Sequence, residues 1–181
     1  MRAVSQVPYA LTMATFVLTA IGDDRAGLVN ALADVVAEHG GNWERSQMAE
    51  LAGKFAGIVM VTVPDTHADE LLAALDSLDG VLEVQAHRGA AAQPEARRVA
   101  LELMGTDRPG IVREVSAVLA RHGVSIDQLV TATREAPMAG GMLFEADAVL
   151  EVPAGVTAAS LREALESVAG ELMVDIDLED L

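Results

Sequence analysis

The sequence predicts an α+β fold made of two copies of one βαββαβ unit, each an antiparallel sheet with both helices on one face. Three observations carry this. With a displacement of 83 positions, Thr15–Ser46 aligns on Arg98–Leu129 with ten identities, among them Leu18/Leu101, Gly22/Gly105, Asp24/Asp107, Arg25/Arg108, Gly27/Gly110 and His39/His122. A displacement of 90 aligns Leu71, Leu75, Gly80 and Leu82 on Leu161, Leu165, Gly170 and Leu172. Within each copy the apolar period switches from two, as in Val99, Leu101 and Leu103, to helical spacing, as in Ile111, Val115, Val118 and Leu119. Two copies make a paired domain and not a solenoid, which needs at least about three repeats.

The elements follow in order. The first strand is Thr15–Ile21, matched by Arg98–Met104; one face of it is apolar, so one face is buried. A turn comes next, GDDRAG at 22–27 and GTDRPG at 105–110. The helix after it carries a stripe of Leu28, Val29, Leu32, Val35 and Val36, or of Ile111, Val112, Val115, Val118 and Leu119. Both helices stop at His-Gly, where glycine accepts a left-handed backbone and the imidazole can sit over the negative end of the helix dipole. Two strands follow, Asn42–Leu51 and Lys54–Val63 around Ala52-Gly53, and Ser125–Arg134 and Met142–Val152 around a longer loop, Glu135–Gly141. A second helix (His67–Leu78, Ala158–Ala169) and a last strand (Val81–His87, Leu172–Leu178) close each copy. Right-handed crossovers would put both helices on the same side and leave the other sheet face for a partner. The organisation expected is a tail at 1–13, a first unit at 14–88, a linker at 89–96 (GAAAQPEA) and a second unit at 97–181.

Charge and composition narrow the function. Residues 1–92 hold 12 acids and 5 bases, and residues 93–181 hold 16 and 7, so both halves are acidic within a net charge of −16. Like charge repels phosphate backbones and anionic lipid, which argues against direct nucleic-acid or membrane-surface binding. The absence of cysteine removes disulfides, thiolate nucleophiles and Cys-rich zinc sites, and fits a cytoplasmic protein. The apolar run Tyr9–Ile21 is too short to span a bilayer, and its second half recurs later as a strand, so it is not read as a cleaved leader. No G-x-S-x-G, phosphate loop with lysine or H-E-x-x-H occurs, and none of the four histidines is spaced as half of a metal pair. No enzyme, cofactor or metal site is expected.

The strand-to-helix turn is the chemically informative segment. Asp24 and Asp107 stand where a carboxylate can cap free helix amides, and Pro109 suits a first turn because its missing N–H would be unpaired anyway. Gly27 and Gly110 leave the tip bare, and bare amides at a positive helix end make an anion pocket the size of one carboxylate. If the aspartates are not consumed in capping, they can hold an ammonium beside it; the two needs together describe a free α-amino acid. An Asp and a Pro-Gly helix start are equally found in helices that bind nothing. Arg25 and Arg108 read as exposed charges, and Asn42 and Ser125 as strand-entry turn residues. Lys54, the single lysine, reads as exposed.

Two βαββαβ units with a D-R-[AP]-G turn and an H-G helix end resemble tandem ACT domains, ferredoxin-like modules that bind amino acids and regulate an attached or associated protein. The segments GDDRAGLVN (22–30), GTDRPGIV (105–112), EAPMAGGMLF (135–144) and VPAGV…ELMVDI (152–176) are more closely similar to the glycine cleavage system transcriptional repressor family. The resemblance implies side-by-side pairing of the two units and a small amino acid, glycine or serine-like, bound at the turns near the seam. It implies contacts from Asp24, Arg25, Ala26 and Gly27 in the first unit and Asp107, Arg108, Pro109 and Gly110 in the second, with Asn42 and Ser125 opening the second strands. Ala26 replaces the usual proline, Ser125 the usual asparagine, and Trp43 is an unusual bulky neighbour of Asn42, so the two turns are expected to differ in competence. The partner implied is a DNA-bound transcriptional activator protein, with a homodimer as a further possibility. An ACT-fold scaffold that has lost its ligand is the alternative.

Overall fold

The computed structural model describes residues 12–89, 97–136 and 140–181. The chain divides into two compact units, 1–92 and 93–181. The first runs β1 (Met13–Asp23), α1 (Leu28–Glu38), β2 (Asn42–Leu51), β3 (Lys54–Pro64), α2 (Ala68–Leu75) and β4 (Glu83–Arg88), with a 3-10 turn on either side of α2. The second runs β5 (Arg97–Thr106), α3 (Ile111–Arg121), β6 (Ser125–Glu135), β7 (Met142–Val152), α4 (Ala158–Leu172) and β8 (Val174–Asp180). Each unit holds an antiparallel four-stranded sheet, ordered β2-β3-β1-β4 and β6-β7-β5-β8.

Each unit buries its own core between the sheet and its two helices. In the first, Ala14, Phe16, Leu18 and Ala20 of β1 and Val59, Val61 and Val63 of β3 face Leu28, Leu32 and Val36 of α1 and Leu71 and Leu75 of α2. The second repeats this with Val99, Leu101 and Leu103 on β5 and Leu161, Leu165 and Leu172 on α4. The expected alternation and helical stripes are therefore real core signals, with one exception repeated in both units. Val29 and Val112, each on the first turn of its helix, are 46% and 44% exposed.

Several expected boundaries move. Leu172 closes α4 instead of opening the last strand, and α2 is a short helix between 3-10 turns instead of one helix over His67–Leu78. Ala52 and Gly53 turn the β2–β3 hairpin with φ of 52° and 78°, the left-handed pair that a two-residue loop requires. The linker segment 90–96, most of the tail, and 137–139 of the long hairpin loop lie outside the described residues. Met13 is part of β1 and pairs with Pro64.

Gly22 and Gly105 also change role. They read as turn residues, yet both lie inside strands, opposite Phe55 and Phe144. A β-carbon on Gly22 would stand 2.7 Å from the Val81 carbonyl oxygen, and one on Gly105 would stand 2.5 Å from a Val174 methyl. The duplicated glycine is there because the segment entering the last strand passes over it at backbone distance.

Candidate functional site

The candidate site is the β1–α1 turn and its counterpart between β5 and α3. After Asp23 pairs with Lys54, the Asp24 amide donates to the Gly53 carbonyl at 2.9 Å, which ends the sheet and releases the chain into the helix. Asp107 does the same toward Met142 at 2.8 Å. Gly27 and Gly110 then take φ of 97° and 103°, a left-handed conformation that carries a steric penalty for any residue with a β-carbon.

The expectation that Asp24 and Asp107 cap their helices is not met. The N-cap residues are Gly27 and Gly110 themselves, and neither helix start receives a side-chain hydrogen bond. The ladder of α1 begins at the Ala31 amide, which donates to Gly27 at 2.9 Å, so the first-turn amides ahead of it have no partner within the helix. With the aspartates three residues upstream of the glycines, the intervening chain carries their carboxylates out of capping position. The tips are thus bare, and the aspartates are not spent on them.

The two tips differ electrostatically. Among the described residues nothing stands within 4 Å of where a Gly27 β-carbon would be, and the first turn of α1 has no acid. At the second tip a Glu114 oxygen stands 3.3 Å from the corresponding point and is 3.6 Å from the Arg113 guanidinium. That carboxylate already occupies the positive end of the α3 dipole and opposes a second anion. Arg108 also departs from the exposed charge expected of it. It is half-buried and donates from Nη2 to the Glu171 carbonyl at 2.7 Å, while its Nε is buried without a partner. The longer α4 brings that carbonyl within reach. Arg25 is exposed, as expected.

Beside the first turn lies an open groove of about 450 Å³ lined by Asp23, Arg25, Lys54 and the Gly80–Glu83 segment. Lys54, read from sequence as a plain surface charge, is an ion-pair partner of Asp23 and supplies the groove's second cation. The hairpin turn at Ala52-Gly53 sets Lys54 opposite Leu51 only; its place opposite Asp23 comes from the long-range β1–β3 register, which no local motif carries.

Asn42 and Ser125 are not brought to their own turns. Asn42 pairs with Thr62, which pairs with Thr15, eight strand positions from Asp23. At about 3.3 Å per residue this is roughly 26 Å. Ser125 likewise shares a row with Glu151 and Arg98, far from Asp107. Asn42 donates from Nδ2 to Glu44 at 2.9 Å, and Thr62 Oγ1 donates to the same carboxylate at 2.8 Å. Glu44 sits at a β-bulge between Trp43 and Arg45, and its counterpart Asp127, at the matching bulge, pairs with Arg98. The Asn42 amide is thus taken up by Glu44 at the entry to β2.

Among the described residues three carboxyls are held below their ordinary value. Lys54 lowers that of Asp23 by hydrogen bond and charge, Asn42 and Thr62 lower that of Glu44 by hydrogen bonds, and Arg134 lowers that of Glu145. A depressed carboxyl stabilises the fold above its unfolded value and loses that contribution as pH falls through the folded one. The melting temperature of the wild type is therefore expected to drop more between about pH 5 and pH 3 than that of Glu145→Gln, which has no proton to take up there. Parallel melting curves at the two pH values check this; equal drops would contradict it.

A family model described as ACT domain matches residues 14–88, and a second ACT domain model matches 99–170. The chain belongs to the ACT-domain family. Its two ACT units stand in tandem, and each four-stranded sheet with two helices agrees with a ferredoxin-like ACT fold. This tandem ACT protein is 24% identical over 160 residues to the glycine cleavage system transcriptional repressor of Escherichia coli K12, covering 86% of this chain and 84% of that one. A UPF0237 protein of Methanopyrus kandleri is 34% identical over 79 residues, 44% of this chain and 82% of its own. A solved structure of a protein of unknown function from Galdieria sulphuraria superposes with a TM-score of 0.85 at 34% identity, covering 94% of this chain and 99% of that one. Among the described residues of the ACT units, no helix is long and apolar enough to cross a membrane.

Proposed function

We propose that this tandem ACT protein is an amino-acid-responsive regulator, related in role to the glycine cleavage system transcriptional repressors, that acts through a transcriptional activator protein and not by holding DNA. The observation that carries the proposal is the uncapped α1 tip, bare at Gly27 and free of acid in its first turn. A small amino acid, glycine or serine-like, places its carboxylate on the first-turn amides, where the helix dipole favours an anion, and its ammonium against the Asp24 carboxylate. Arg25 stands on the same turn. The first unit is the competent one in this reading, because Glu114 already occupies the second tip. A cytoplasmic location and the absence of catalysis belong to the same proposal. For the ligand to switch anything it must bind two states of the protein unequally.

The test is thermal shift and calorimetry against the twenty amino acids. Saturable stabilisation is expected, about 2.7 kcal/mol at a hundredfold excess over the dissociation constant, lost in Asp24→Asn and kept in Asp107→Asn. The pure protein is also expected to retard no duplex DNA at physiological salt, given its net charge of −16. No response to any amino acid favours the second reading, an ACT-fold scaffold without a ligand. That reading is supported by Asn42, whose amide is taken up by Glu44 and lies far along the sheet from Asp24.

A further inference from the structure

We propose that the open sheet face of the first unit is a self-association surface, seated against the same face of a second copy of this chain. The helices of each unit cover one face of its sheet. On the other face of the first unit, Val17 and Ile21 of β1 and Ala56, Ile58 and Met60 of β3 form an apolar stripe along the two central strands. Ile21, Ile58 and Met60 are 49%, 48% and 38% exposed. Polar residues flank the stripe on both edge strands: Gln47 opposite Ile58 and Gln85 opposite Thr19. An apolar centre with a polar rim is the anatomy of an interface.

The duplication supplies an internal comparison on the same backbone. Register for register, the second unit places Glu102 where the first has Thr19, Asp147 where it has Ile58, and Asp177 where it has Gln85. Those acids face one another across neighbouring strands, and a second copy laid on them would double an unfavourable charge. The first unit's open face is instead balanced, with Lys54 beside Asp23 and Arg45 and Glu83 on opposite edge strands. A two-fold axis along the strands, between β3 and β1, lays the Lys54 position of one copy over the Asp23 position of the other, because the two share a row, so the face is complementary to itself there. In a chain of net charge −16, a face whose two acids are matched by two bases spares a second copy that repulsion. A face four strands wide and about nine residues long measures roughly 19 by 30 Å. Two such faces remove about 1,100 Å², which clears the roughly 1,000 Å² expected of a specific interface.

The experiment is sedimentation of the full chain from about 1 to 200 µM. The weight-average mass is expected to rise from 18.9 kDa toward twice that value. Ile58→Asp and Thr19→Glu, which install what the second unit carries at those registers, are expected to weaken association at least about a hundredfold. Val130→Asp, on the second unit's open face and 66% exposed, is expected to change nothing. Asp147 shows that the fold tolerates an acid at that register, and Thr19→Glu reads the same surface if Ile58→Asp fails to fold. Wild type remaining at 18.9 kDa at 200 µM overturns the proposal. So does a dimer that survives both variants, a dimer lost equally in Val130→Asp, or a dimer that forms only after residues 1–11 are removed, which would make that segment the occupant. Amino-acid binding is read separately, so either idea can fail alone.

Discussion

Leu18→Ala is expected to lower the stability of the first unit by about 3–5 kcal/mol. Leu18 is fully buried on the central strand β1, flanked by β3 and β4, in the core that includes Leu32, Leu71 and Val61. Truncation removes its transfer energy and leaves a cavity that two hydrogen-bonded neighbours keep from collapsing. The two cores share no residue, so the loss falls on one unit. Trp43, the single tryptophan, packs against the first core and reports on that unit alone. Its fluorescence melt should fall by about 15 °C or more, while far-UV circular dichroism resolves a second, unshifted transition from residues 93–181. A single transition that moves as one by both probes would show that the units unfold together, and the prediction would fail.

Gly105→Val should have the opposite readout, destabilising the second unit by about 3 kcal/mol and leaving the Trp43 melt unchanged. The backbone at Gly105 is ordinary extended chain, so conformational freedom is not the reason for glycine. The reason is space. An added β-carbon would stand 2.8 Å from the Met173 carbonyl oxygen and from the Val174 α-carbon, besides the 2.5 Å contact with the Val174 methyl. A methyl can rotate away, but the backbone of β8 is held to β5 by its ladder and cannot. Gly105→Ala should produce a smaller loss in the same direction. A variant as stable as the wild type would show that β8 can slide, and that the close approach is not what selects glycine.

The fold was largely legible in the sequence because the signals for it are local and doubled. Alternation in β1 and β5, helical spacing in α1 and α3, and the His-Gly stops all depend on residues within a few positions of each other. His39 and His122 do sit over their helix ends, each Nδ1 donating to the carbonyl four residues back, at 2.8 Å to Val35 and 3.1 Å to Val118. The site was legible only in part. The residue types at the turn were right, but Asp24 and Asp107 do not cap, and Arg108 is tied to the end of α4. Asn42 lies at the far end of its own sheet because α1 carries the chain back along the sheet before β2 starts, one strand length from the turn. That distance depends on register, which a motif read along the chain does not contain.

By itself the sequence determined the duplication, the order of elements and the acidic charge of both halves, since each is a matter of which residues recur at which spacing. Only tertiary structure decided that Gly22 and Gly105 make room for the chain entering the last strand, that a Glu114 carboxylate stands beside one helix tip and no acid beside the other, and that two sheet faces of common descent differ in charge. Each of these depends on atoms brought together from distant positions, where the deciding quantity is a separation in space that local periodicity leaves open.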